Sequence, residues 1–412
     1  MIKTAHGSRD AALGPLRGAV FASVLLTAGC APAAPSSAPP PASASAPAAV
    51  PSSSAAQPTV APSSPGLVPF PSLPTAAITR GRADAMQAIL DAAVAAGAPD
   101  AIAAVITADG SWAGASGIGG PDGRKATVAD EFAIANVTKV ITASLVMRLV
   151  EQGRMDLDTP LSTYLGDVKV DSNGATVRQF LGARSGMADF VDPPAAISAD
   201  PAHHWTIAEL LARIPPAADR PGDRYLPVGP NYILLGLAVE HVTGKTLSDA
   251  LRDEVLDPFG ATRILEQGAG VATPKPWALP TKAHLGPFDV GDLGAGGAIS
   301  CISSASFGPG SGSIASDAPS LAAWTWHLFA GDIIDRASLA TMLPGHDGHG
   351  LGLNVLDRPL DQDIGLNGGK TGYATVLAVI PDARVVAVVL VNDENFRIDP
   401  FIFDLTKAAR GG

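Results

Sequence analysis

The sequence predicts an α+β fold, a central antiparallel sheet flanked by helices with a mostly helical second lobe, on three observations. First, residues 137–150 place apolar side chains on nearly every side of a helix (Val137, Val140, Ile141, Leu145, Val146, Leu149, Val150), the pattern of a buried helix. Second, β-hairpins are written near both ends of the folded part: Ala101 to Thr107 and Ser111 to Gly117 around Asp109-Gly110, and Tyr373 to Ile380 and Val385 to Val391 around Pro381-Asp382. Third, helical spacing brackets these hairpins, with Met86, Ile89, Leu90 and Val94 between Arg80 and Ala96 and a last helix from Asp399 to Ala409 packing back on the sheet.

Taken in order, residues 1–29 have the layout of an export signal: Lys3, Arg9 and Arg17, then the apolar run Ala19 to Leu26, too short to span a bilayer as a mature helix. Thr27-Ala28-Gly29-Cys30 resembles a bacterial lipobox, with threonine where leucine is usual; it implies cleavage before Cys30 and lipidation of that cysteine. Residues 30–76 are mostly Pro, Ala and Ser, part of a stretch without a charge between Arg17 and Arg80, and read as a tether reaching at most about 140 Å from a membrane. The expectation is a domain exported and lipid-anchored at the outer face of the cell membrane, in the cell wall or periplasmic space.

Residues 77–412 are long enough for a sizeable core in one fold of two lobes. A formal charge of −11 without a basic run argues against nucleic acid as a partner. Cys30 and Cys301 are the only cysteines, so lipidation of the first leaves no intrachain disulfide.

The stretch EFAIANVTKVITASLVMRLVEQG, from Glu131 to Gly153, organises the rest. Asn136 stands where a helix cap belongs, and Lys139, three residues on, shares its face. A lysine entering so apolar a helix carries a burial cost that asks for a function. The stretch resembles the active-site helix of the serine β-lactamase and D-alanyl-D-alanine carboxypeptidase superfamily, in its class C and carboxypeptidase-like branch. There a serine opening Ser-x-x-Lys attacks a carbonyl while the lysine helps take its proton. Asn136 occupies that serine's position, and no lysine of the chain has a serine three residues before it.

The resemblance continues. ATVRQFLGARSGM, ending at Met187, is similar to Thr-x-Arg-x-Leu-Leu-x-His-Thr-Ser-Gly-Leu, in which Ser185-Gly186 reads as a structural turn and not a nucleophile. PGDRYLPVGPNYILLG, anchored on Pro221-Gly222 and Tyr232 to Gly236, puts Pro227 and Gly229 at the family's Tyr-x-Asn positions, where neither can exchange a proton or donate a side-chain hydrogen bond. Tyr225 reads as packing. The third motif, Lys-Thr-Gly or His-x-Gly on an edge strand, has two frames. Alignment on Gly372-Tyr373 and the Pro381-Asp382 turn gives Leu366, Asn367 and Gly368 and is favoured by its two anchors; the letters themselves give Lys370, Thr371 and Gly372.

Between these motifs, GDLGAGGAIS reads as turns, and Cys301 as a small buried hydrophobe. Helices are expected at Ser316 to Ala330 and Asp335 to Leu343, with a strand at Leu351; His346 and His349 fit a polar loop before it, and no metal or cofactor is expected. The resemblance therefore implies a β-lactamase/transpeptidase-like fold with a degenerate site. It points to a non-catalytic binding or regulatory protein for peptidoglycan stem peptides or other acyl and amide ligands, with Asn136 capping the helix and accepting a hydrogen bond from Lys139. Two other readings stay open. One is a hydrolase with a non-standard nucleophile or a water activated by a desolvated Lys139, with help from Thr138 or Lys370. The other is a surface adaptor of the envelope.

Overall fold

A computed structural model describes residues 68–190, 193–268, 275–280, 294, 297–356 and 363–411. The export signal, Cys30 and the tether up to residue 67 lie outside the described residues. Strands β1 (Asp100–Thr107), β2 (Gly110–Gly117), β3 (Phe132–Ala133), β4 (Leu265–Glu266), β5 (Ile314–Ser316), β6 (Asn354–Val355), β7 (Ile364–Lys370), β8 (Tyr373–Ile380) and β9 (Val385–Val391) form two antiparallel sheets. The larger runs β2-β1-β9-β8-β7-β6, and the smaller β3-β5-β4.

Every residue of β1, β8 and β9 is buried. An antiparallel sheet with one wet face alternates apolar and polar residues; these strands do not alternate, because both faces are covered. Ile102, Ala104, Val386, Val388 and Leu390 face the main core, which holds Val140, Leu145 and Trp326. Ala101, Ala103, Ala387 and Val389 face Met86 and Leu90 of the first helix, Arg80–Ala95, and Ile402 and Leu405 of the last, Asp399–Arg410.

The central helix runs Thr138–Glu151, and all residues from Thr138 to Met147 are buried. Its polar side chains are satisfied one by one: Thr138 Oγ1 accepts from Ile314 N–H (3.2 Å), Thr142 donates to Gly310 O (2.8 Å) and Ser144 to Val140 O (2.9 Å). Thr138 is thus buried and engaged with the first residue of β5.

Small shifts from expectation have local causes. The first hairpin turns at residues 108 and 109, since Thr107 already pairs with Gly110. Ser316 closes β5, and the helix Ala318–Ala330 starts one residue beyond Asp317, whose carboxylate caps Ser320 N–H. The strand expected at Leu351 is β6, two residues long. The boundary at 77 also moves: Phe70, inside the stretch read as tether, is 5% exposed, packs 4.6 Å from the Trp326 ring, and its neighbour Pro71 accepts from Trp326 Nε1. Phe70→Ala is expected to destabilise the domain by about 3 kcal/mol, read as a lower urea midpoint with unchanged slope. Among the described residues no helix is long and apolar enough to cross a membrane.

Candidate functional site

Asn136 lies in a single 3₁₀ turn, Ala135–Val137, between β3 and the central helix. Ala135 has φ 48°, the left-handed region that a residue with a Cβ seldom occupies, and this kink turns Asn136 outward until it is exposed beside buried neighbours. The expected cap is corrected here. Val137 holds the N-cap position and no side chain caps the helix, because the inserted turn separates Asn136 from the first free N–H groups. Lys139 does not bond Asn136 either. Its ammonium, on a residue 6% exposed, donates to Pro227 O at 3.1 Å and stands 5.7 Å from the centre of the Tyr232 ring. Burial pushes the Lys139 pKa down to about 8, against the opposing pull of the Asp189 carboxylate.

Both positions read as the second motif line the same cleft as Asn136 and Lys139. Pro227 contributes a backbone acceptor for Lys139, and Gly229 N–H donates to Asp189 Oδ1 (3.2 Å), which also accepts from Phe190 N–H (2.9 Å). Gly229 opens the helix Gly229–Thr243, whose Asn231 is buried and accepts the hydroxyl of Ser185. Ser185 is itself buried, so it braces this helix from below.

The third motif lies on β7. The strand β6 pairs only with Ile364 and Gly365, leaving the outer edge from Leu366 onward without a strand partner among the described residues. Gly368 presses on the kink: a Cβ there would stand 2.7 Å from Asn136 N and 2.8 Å from Ala135 Cβ. The frame Leu366, Asn367 and Gly368 therefore lies beside Asn136. Lys370, Thr371 and Gly372 form the end of the hairpin, where Lys370 pairs with Tyr373 across Thr371 (φ 32°) and Gly372 (φ 89°). Positive φ at both turn residues is a type I′ turn, which closes on a hydrogen-bonded pair; alternation then points the N–H of Gly369 to the open edge.

Lys370 nevertheless returns to the cleft. Its ammonium donates to Gly312 O at 2.6 Å, and burial lowers its pKa to about 8 against the opposing influence of Cys301 and Glu266. Thr371 shares a hydrogen bond with Ser304 (3.2 Å), and Gly372 N–H donates to Glu394 (3.1 Å), whose carboxyl pKa is raised by burial. The two lysines, Asn136 and Gly369 thus open onto one cleft of about 620 Å³ with an apolar wall of Phe190, Ile197, Ile233 and Phe307.

Asp189, Glu394, Gly312 and Ser304 escaped the sequence reading, since nothing local marks them. Tyr225 stacks on the His349 ring at 3.6 Å and accepts from Asn354, a packing role. Cys301 is buried, and its sulfur caps the short helix Ile302–Ser306, accepting from Ser304 N–H. Among the described residues no group of His, Cys, Asp or Glu is placed to hold a metal ion.

An antiparallel sheet with a strand edge beside the entry to a buried, lysine-bearing helix defines the serine β-lactamase and transpeptidase fold class. The family model for Beta-lactamase matches residues 86–407, and the chain belongs to that family. Protein flp of Staphylococcus aureus (strain MW2) is 26% identical over 153 residues, 33% of this chain and 28% of that protein. Penicillin-binding protein 4 of Amycolatopsis lactamdurans is 33% identical over 139 residues, 31% of this chain and 34% of that protein. The chain thus spans a minor part of the length of these curated relatives. Among solved structures, the D-amino acid amidase of Ochrobactrum anthropi SV3 superposes with a TM-score of 0.68 at 21% identity, covering 80% of this chain and 99% of that one. A D-stereospecific amidohydrolase from Streptomyces sp. gives 0.65 at 23%, covering 78% and 97%. At such identities the likeness is one of fold.

Proposed function

We propose that this member of the family binds peptidoglycan-type or other acyl and amide ligands in its cleft without forming an acyl-enzyme, as a regulatory or receptor protein of the cell envelope. The observation that carries this is Asn136. It is exposed at the cleft, next to the Gly368 edge, and offers a carboxamide with no ionisable oxygen to attack a carbonyl. Pro227 and Gly229 point the same way, since the Lys139 ammonium meets a backbone carbonyl at the place where the family carries a proton-transferring tyrosine. The names of the structural relatives, an amidohydrolase and an amidase, support amide-bearing ligands. Cys30 would tether the domain to the outer face of the membrane by its lipid; Cys30→Ala should move the protein from the membrane to the soluble fraction.

Incubation of the purified chain with a fluorescent penicillin, read by gel and intact mass, is expected to leave the mass unchanged. A covalent adduct overturns the proposal, and its position names the nucleophile. A second reading, hydrolysis by a water activated by Lys139, is favoured by one observation: a pKa near 8 leaves about a tenth of the amine neutral at pH 7. Turnover of a chromogenic ester that disappears in Lys139→Met would select it over binding alone.

A further inference from the structure

Three polar side chains of the large sheet lie in one row, and each leaves an oxygen without a partner. Continuing the register Ile102↔Leu390 by two residues sets Asp100 opposite Asn392, and continuing Ala374↔Val391 by one sets Asn392 opposite Tyr373. Alternation gives the three the face of Ile102, Leu390 and Leu377, which belongs to the main core. They are 0%, 1% and 0% exposed. Asp100 Oδ2, Asn392 Oδ1 and the Tyr373 hydroxyl have no hydrogen-bond partner among the described residues.

The bonds these residues do make fix which atoms are left over. Asp100 Oδ1 accepts the backbone N–H of Asn392 (2.9 Å), and Asn392 Nδ2 donates to Leu279 O (3.0 Å) and Ile118 O (3.4 Å). Two carbonyl acceptors hold the amide so that its oxygen, not its nitrogen, stays free. The Tyr373 ring meets Phe132 edge to face at 5.9 Å, and the Ser300 backbone favours the ionised hydroxyl without completing a hydrogen bond to it. Tyr373 could donate to either of the other two oxygens and bonds neither. Buried groups left in this way mark a water or an ion between them.

Charge decides which. Burial pushes the Asp100 carboxyl up, Asp130 repels its charge and Arg124 attracts it. Arg124, however, bonds both oxygens of Asp130 (2.9 and 2.8 Å) and gives its other nitrogen to Trp277 O (2.6 Å) and Gly119 O (3.3 Å), so among the described residues no basic side chain pairs with Asp100. A buried carboxylate is paired, bound to a metal ion or protonated. A proton on Asp100 Oδ2 would satisfy one acceptor, whereas a cation would satisfy all three oxygens. One carboxylate with two neutral oxygens balances a single positive charge, and among the described residues no group of His, Cys, Asp or Glu gathers the ligands of a transition metal.

We propose that Asp100, Asn392 and Tyr373 bind a monovalent alkali cation through these oxygens, with water completing its shell, and that the ion fixes the start of β8 and the turn at residues 370–372 on the edge of the cleft. Glu394, two residues beyond Asn392, accepts Gly372 N–H, so both strands of the row lead to that turn.

The test is urea unfolding of the full purified chain in sodium, potassium and N-methylglucamine chloride at one ionic strength and mildly alkaline pH, where a proton competes least. The unfolding constant is expected to fall about tenfold for each tenfold rise in sodium or potassium above its dissociation constant, and to stay unchanged with N-methylglucamine, which is too large to enter. In Asp100→Asn, whose amide can itself donate to Asn392 Oδ1, the difference between salts should vanish. In Tyr373→Phe it should move to higher cation concentration. Equal stability of the native chain in all three salts overturns the proposal without any variant, since a proton then neutralises Asp100. A difference between salts that survives in Asp100→Asn also overturns it, because the cation then binds elsewhere. Should Asp100→Asn fold poorly, an unaltered cation dependence in Tyr373→Phe overturns it in the same way.

Discussion

Lys139→Met is expected to make the domain more stable, not less, and to remove part of its pH dependence. In the folded chain the Lys139 pKa is about 8, against an ordinary 10.5, because burial disfavours the charged amine. Below pH 8 both folded and unfolded chains hold the proton, and the whole burial penalty is present, about 3 kcal/mol. Between pH 8 and 10.5 the unfolded chain binds a proton that the folded chain has released, so stability rises with pH; above 10.5 the penalty is gone. Methionine matches the length of the stem without the charge, while leaving Pro227 O without its donor, a loss of about 1 kcal/mol. The net gain is about 2 kcal/mol at pH 7, or about 5 °C in midpoint. Urea unfolding of both proteins from pH 6 to 10 checks it: their difference should shrink above pH 8. A variant that is less stable at pH 7 would mean that the Pro227 bond and the Tyr232 ring outweigh desolvation. Lys370 titrates in the same window and for the same reason, so replacing both lysines should remove more of the pH dependence between 8 and 10.5 than Lys139→Met alone.

That a buried lysine stands in this helix was legible in the sequence, because its neighbours are apolar on every side and periodicity reports burial directly. Its hydrogen-bond partner was not legible. Pro227 serves through its carbonyl, a group every residue has, so no residue type signals it. The closing hairpin was legible to the residue, since β8 and β9 are unbroken apolar runs with a turn residue pair between them. The same property hid the strand edge that matters: β7 is Gly-rich and only partly buried, so its frame had to be borrowed from anchors on either side. Asn136 as a helix cap was a sound local inference that failed for a non-local reason. A cap must precede the first helical turn directly, and the kink at Ala135, against which Gly368 packs, inserts a 3₁₀ turn in between. Lys370 shows the limit of strand parity. Parity places a side chain on a face of the sheet, but at the last residue before a turn a long side chain can reach past the strand end, here to Gly312. Phe70 was hidden by the composition of the segment it closes, the one aromatic ring in a stretch made mostly of Pro, Ala and Ser.

Asn136→Ser is expected to turn a chain that penicillin does not label into one that it labels slowly and irreversibly. A serine at 136 would project from the same kinked turn into the cleft, with Lys139 one turn behind it as the base. An amine with a pKa of about 8 is matched to taking a hydroxyl proton near neutral pH. The outward N–H of Gly369 supplies a donor at the open edge for the developing oxyanion. What stays missing is a group to pass that proton to the leaving nitrogen, since Pro227 has none; loss of one acid–base group slows such steps by about 10² to 10⁴. Labelling should therefore take hours where an intact site takes seconds, its rate should rise with pH up to about 8 and then level off as Lys139 becomes neutral, and the adduct should persist because the same missing group serves its hydrolysis. Intact mass against time at several pH values measures all three. Labelling without the rise toward pH 8 would remove Lys139 from the role of base. No labelling at any pH would place the loss of chemistry at Pro227 and Gly229 as much as at Asn136, and restoring tyrosine and asparagine there in the serine background would then be required before an acyl-serine could form.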